Sequence, residues 1–126
     1  MHEMGIACEV LAAVRGEAKR HPGNTPRKVG LRIGELAAVD PEALRFCFEA
    51  ITRDTDMESL ELEIEICPFR FRCLSCGHEF VVQNYDSQCP QCADMKTECI
   101  GGQELDVAYL EVEDHEPSAA GAKSTQ

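Results

Sequence analysis

Cys73-Leu74-Ser75-Cys76 and Cys89-Pro90-Gln91-Cys92 are two C-x-x-C pairs separated by twelve residues. Each pair offers two sulfurs from one tight turn, and two such turns facing each other close a tetrahedral cage of four thiolates. Gly77 after the first pair and Pro90 inside the second suit sharp turns that aim sulfur inward. A closed thiolate cage leaves no open position for chemistry, so the expected ion is a structural zinc on Cys73, Cys76, Cys89 and Cys92. Two disulfides, or a redox C-x-x-C, are the competing readings. A redox pair has no need of a second pair at this spacing.

A different donor set stands at the start, Met1-His2-Glu3. The Met1 amine and the His2 amide nitrogen can close one chelate ring, and the His2 imidazole adds another through Nδ1. The Glu3 amide can supply a fourth nitrogen. A nearly planar nitrogen set suits Ni(II) or Cu(II) better than zinc. Taken alone, these residues favour the plainer reading, a solvated His2 and a Glu3 that faces a helix dipole. The four histidines are scattered, no acid–base constellation has catalytic spacing, and no enzymatic activity is expected.

Both donor sets need a scaffold, and 126 residues allow one small domain plus a metal-stapled module. A ribbon of about 35 residues cannot hold itself together by core burial, so metal binding there is also folding. The formal net charge is −11, and a loaded tetrathiolate cage adds about two more negative charges. Between Phe69 and Gly102 the bases are Arg70, Arg72 and Lys96, against Glu79, Asp86, Asp94 and Glu98. There is no basic stripe, which disfavours nucleic acid. Met1-His2-Glu3 does not open a signal peptide and no apolar run is long enough to span a membrane. Eight cysteines then fit a reduced, cytoplasmic protein.

Residues 3–20 read as a helix, with Ala7, Val10, Leu11, Val14 and Ala18 on one face and Cys8 beside it as a small buried hydrophobe. Residues 21–26 read as a loop with a solvated His21, and 28–34 as a half-buried strand. Asp40 is the expected N-cap of a second helix with Pro41 at its first position. Leu44, Cys47, Phe48 and Ile51 form its core stripe. Phe46 falls off that stripe, at an edge or a contact surface. Residues 59–67 alternate leucine or isoleucine with Glu61, Glu63 and Glu65, and Lys28 and Arg32 on an adjacent strand would offset that charge. The ribbon follows, Gly101-Gly102 reads as a flexible exit, and 104–113 is a third strand. That strand has apolar residues in both phases, which suggests a bulge or burial on two sides.

The expected fold is α+β: two helices on a small three-stranded sheet, formed by 1–68 plus 103–113. A four-cysteine zinc ribbon is inserted at 69–102, and 114–126, containing His115, reads as a disordered tail.

Met1-His2-Glu3, Gly34-Glu35-Leu36, Asp40-Pro41-Glu42 with Leu44, Phe46 and Phe48-Glu49, the two C-x-x-C pairs and Gly102-x-Glu104-Leu105 form an ordered series. The series resembles the HypA/HybF family of hydrogenase maturation nickel chaperones, from Met1 to about Glu113. The resemblance implies His2 as the essential nickel ligand, helped by nearby backbone nitrogens, and structural zinc on Cys73, Cys76, Cys89 and Cys92. It implies delivery of Ni(II) to the [NiFe]-hydrogenase large subunit precursor, with the GTPase HypB as partner; some relatives also serve urease maturation. Ala37-Ala38 departs from the small polar or glycine residue common after GEL. Cys8, Cys47, Cys67 and Cys99 are not family ligands. The rival functions are a zinc-ribbon adaptor in transcription or translation, indifferent to His2, and a C-x-x-C redox enzyme.

Overall fold

A computed structural model describes residues 2–114. Its elements are α1 (Glu3–Arg20), β1 (Asn24–Gly34), a 3-10 turn at Glu35–Ala37, α2 (Pro41–Thr52), β2 (Glu61–Cys67), β3 (Arg70–Cys73), β4 (Glu79–Val81), β5 (Thr97–Gly101) and β6 (Leu105–Asp114). Two three-stranded sheets form, in the orders β2-β1-β6 and β4-β3-β5. The α+β class with two helices and an inserted cysteine ribbon is the one read from the sequence. Among the described residues no helix is long and apolar enough to cross a membrane.

The chain divides into two compact units whose boundary falls within β1, β2 and β6. One comprises His2–Leu31, Asp40–Glu63 and residues 107–114. Its core is Ala7, Val10 and Val14 of α1, Leu44 and Phe48 of α2, Val29 and Leu31 of β1, and Met57 and Leu60 before β2. The apolar stripe of α1 at helical spacing thus becomes the face that α2 covers. Asp40 caps α2 as expected, its Oδ1 accepting from the amides of Glu42 (3.0 Å) and Ala43 (3.4 Å). Lys28 approaches Glu61 at 3.9 Å, and the Tyr109 hydroxyl donates to Glu63. Tyr109 lies over Gly30, where a Cβ would sit 2.1 Å from the ring.

The other unit holds Arg32–Val39 and Ile64–Asp106. Here Gly34-Glu35-Leu36 meets Gly102-x-Glu104. Gly34 N–H donates to the Glu104 carbonyl and Leu36 N–H to the Gly102 carbonyl, each at 2.7 Å, while Glu35 accepts the Phe69 amide at 2.9 Å. A Cβ on Gly34 would lie 2.1 Å from the Gly102 backbone. Arg32 reaches Asp106 at 3.0 Å. Antiparallel pairing of β3 with β4 and β5 builds the ribbon, with Phe71 opposite Phe80 and Cys99.

Several expectations are corrected. Gly102 is not a flexible exit: it is buried, holds φ +114° against Phe69, and donates to Glu104 Oε1 at 2.8 Å. Asn24, Thr25 and Pro26 belong to β1, leaving a shorter connection at 21–23. Cys8 is exposed, not buried. Neither phase of β6 is buried, for Leu105, Val107, Tyr109 and Val112 all remain exposed on an outer strand. Arg32 pairs with Asp106 of β6 instead of the β2 glutamates. Asp114, assigned to the tail by the sequence, ends β6; His115 and the rest of the tail, and the Met1 amine, lie outside the described residues.

Candidate metal centre

The sulfurs of Cys73, Cys76, Cys89 and Cys92 all lie within 4.8 Å of one another. Two pairs, Cys73–Cys92 and Cys76–Cys89, stand 3.5 and 3.7 Å apart. A tetrahedron with metal–sulfur bonds of ~2.3 Å has edges of ~3.8 Å, so the four atoms already have the size of a zinc cage.

Two near-identical turns produce this geometry. In the first, Gly77 N–H donates to the Cys73 carbonyl at 3.0 Å and Cys73 N–H to the His78 carbonyl at 2.9 Å. In the second, Ala93 N–H donates to the Cys89 carbonyl at 2.9 Å and Cys89 N–H to the Asp94 carbonyl at 3.0 Å. The residue after each pair is left-handed, Gly77 at φ +80° and Ala93 at φ +66°. The amides of Ser75 and Cys76 point at the Cys73 sulfur (3.4 Å each), and that of Cys92 at the Cys89 sulfur (3.5 Å). Such amides stabilise thiolate over thiol.

The sulfurs compete for ionisation. The amides of Cys76, first, and Ser75 draw Cys73 down to about 7 against the cost of burial. Around Cys92 the Asp94 amide pulls downward, but the Cys73 sulfur, burial, and Cys76 and Cys89 outweigh it and push that thiol up to about 12. Four neighbouring thiols cannot all lose their protons unaided. A divalent cation removes the conflict, and the donor set fits one.

The ribbon arginines are committed within the fold. Arg70 bonds Glu79 at 2.6 Å, and Arg72 bonds Glu79 and Glu98 at 3.2 Å each. This is poor equipment for binding phosphates.

Among the described residues, His2 is not part of the sulfur cluster. It is exposed at the N-cap of α1 with an extended backbone, its side chain making no cap bond and its carbonyl accepting Ile6 N–H at 3.2 Å. Glu3 has another task. Its Oε2 accepts the Asp40 amide at 3.0 Å, and that bond first, then its own amide, holds the carboxyl below the usual glutamate range. The first turn of α1 is thereby tied to the start of α2. Sequence reasoning saw only a helix-dipole role for the Glu3 carboxylate, because a contact 37 residues away leaves no local pattern.

A family model described as hydrogenase/urease nickel incorporation, metallochaperone, hypA, matches residues 1–112. The chain belongs to the HypA family. The hydrogenase maturation factor HypA of Geobacter metallireducens is 44% identical over 113 residues, covering 90% of this chain and 100% of that one. Its counterpart in Desulfatibacillum aliphaticivorans is 36% identical, covering 100% and 98%. The fold is similar to the solution structure of the Ni metallochaperone HypA from Helicobacter pylori, with TM-score 0.59, 24% identity, and 88% and 97% coverage. A second HypA solution structure gives TM-score 0.68 at 23% identity, with 90% and 97% coverage. HypA membership makes this a maturation factor of a nickel-incorporation family, and its four clustered cysteines are a metal-binding group.

Proposed function

We propose that this HypA protein carries Ni(II) at its N-terminus and delivers it to the [NiFe]-hydrogenase large subunit precursor in the cytoplasm, with the GTPase HypB as partner. Delivery toward urease is a second destination that the family description supports. The observation that carries the reading is a family match beginning at residue 1, which includes the Met1-His2-Glu3 nitrogen donors. His2 is the side-chain ligand, joined by backbone nitrogens. Its exposure lets cargo be taken up and passed on. The chain works as two modules, 1–68 with 103–113 carrying nickel and 69–102 carrying zinc. Zinc on Cys73, Cys76, Cys89 and Cys92 stays through each cycle and shapes the ribbon. The protein has no catalytic step of its own.

Glu3 serves the nickel site by position: its carboxylate on the Asp40 amide anchors the first turn of α1, directly after His2. Nickel titration of untagged protein beside His2→Ala, with zinc measured in both, tests the reading. Loss of one nickel equivalent with zinc unchanged is expected. Equal nickel affinity in the two proteins would sink it.

A further inference from the structure

We propose that Ser75 and Asp94 form a latch between the two cysteine turns and slow the escape of the ion they enclose. The inference rests on the reading of the four cysteines as a metal cage, and it concerns residues that hold no metal themselves. Each turn supplies two of the four sulfurs, so the ion leaves most readily when the turns part. Most hydrogen bonds around the cage cannot oppose this. Those from Gly77 to Cys73, Ala93 to Cys89, and the amides aimed at sulfur each stay within one turn.

Two bonds cross. The Ser75 hydroxyl, at the tip of the first turn, donates to Asp94 Oδ2 just past the second. Leu74 N–H donates to the Lys96 carbonyl at 2.8 Å. Asp94 is well placed to bear load. Its Oδ1 accepts Lys96 N–H at 2.9 Å, its carbonyl accepts Cys89 N–H at 3.0 Å, and its own amide faces the Cys92 sulfur. One residue therefore contacts both cysteines of the second turn and reaches the first turn through its side chain. His78 occupies the matching place in the first turn, with its carbonyl on Cys73 N–H, but its ring stacks on Phe80 at 6.1 Å and serves the ribbon sheet. The hydroxyl–carboxylate bond is charge-assisted, the stronger class of hydrogen bond. It lies outside the coordination shell, where partners orient ligands and tune retention.

The test uses the full-length, zinc-loaded protein and follows zinc transfer to excess chromogenic chelator. Ser75→Ala and Asp94→Ala should each speed release on the order of tenfold. The double variant should be no faster than Asp94→Ala alone, because once the carboxylate is gone the Ser75 hydroxyl has no latch bond left to lose. Ser75→Thr, which keeps the hydroxyl, should restore slow release. The thiolate-to-metal absorption of the Co(II)-substituted protein should be the same in all four, since the ligands are untouched. Unchanged release rates, or single effects that multiply in the double variant, would overturn the latch. Wild-type protein that retains no zinc under reducing conditions would instead overturn the four-cysteine reading beneath it.

Discussion

Ala93 holds φ +66° directly after the second cysteine pair, where the first pair has Gly77 at φ +80°. A side chain in the left-handed region costs roughly 1–2 kcal/mol, and replacing it by glycine relieves that cost while giving back some of it as unfolded-chain entropy. Ala93→Gly should therefore stabilise the metal-loaded protein by about 0.5–1 kcal/mol, and Gly77→Ala should destabilise it by a similar amount. Urea denaturation in the presence of zinc reads both. A stabilising Gly77→Ala would contradict the equivalence of the turns. Ala38 is left-handed too, at φ 57°, which gives a physical meaning to the departure after GEL noted in the sequence. Gly77 announced its turn by its type. Ala93 did not, because alanine carries no conformational signature, and only the repeat of the first turn's hydrogen bonds reveals the strain. The clustering of Cys73, Cys76, Cys89 and Cys92 was legible from spacing alone, whereas the Ser75–Asp94 bridge was not, since neither residue belongs to a metal motif.

At the scale of elements, both helices were readable because their signals are local. A 3.6-residue apolar period marks α1, and Asp40-Pro41 marks the start of α2. Removing that cap should cost about 1 kcal/mol in Asp40→Ala, again by urea denaturation. The strand β5 escaped notice. Thr97-Glu98-Cys99-Ile100-Gly101 has little alternation, and pairing with β3 makes it a strand. The openness of β6 was also hidden, because an apolar strand on an outer edge reads like a buried one. The tie between α1 and α2 through Glu3 carries a pH signature. Its carboxyl is held below the ordinary range by the Asp40 amide, so the stabilisation is complete at neutral pH and disappears as pH falls through the lowered value. Hydrogen exchange at the Asp40 amide should be faster in Glu3→Ala than in wild type at pH 7. After correction for the intrinsic rate, the gap should begin to shrink below about pH 4.3, the unperturbed glutamate value, and close as pH falls through the lowered one. A gap that persists in acid would mean that the carboxylate is not what protects this amide.

For the whole molecule, the four-cysteine cluster and the apolar core lie in different parts of the chain. Val10, Val14, Leu44 and Phe48 bury without help from metal, while the ribbon relies on a few rings: Phe69 and Phe71 at 5.0 Å, Phe71 and Phe80 at 6.4 Å. Stripping zinc with a strong chelator should therefore collapse the dispersed backbone resonances of residues 73–97 and leave the helical circular dichroism of α1 and α2 nearly intact. Simultaneous loss of both signals would show that the helices also depend on the cage. If the proposed nitrogen donors hold nickel, capture should weaken as the solution is made more acidic, because those donors must shed protons to bind. Nickel titrations repeated at successively lower pH check it.

The sheet in the order β2-β1-β6 leaves two outer strands, and both carry acid: Glu61, Glu63 and Glu65 on one, Glu111 and Glu113 on the other. Unpaired strand edges invite other chains to zip on, and repeated charge is a natural guard against it. The same glutamates that make this chain a poor match for polyanions thus act as bumpers between copies. Near the isoelectric point of about 4.7 that cushion deflates, and acid handling should drive the protein toward self-association before it melts the helices.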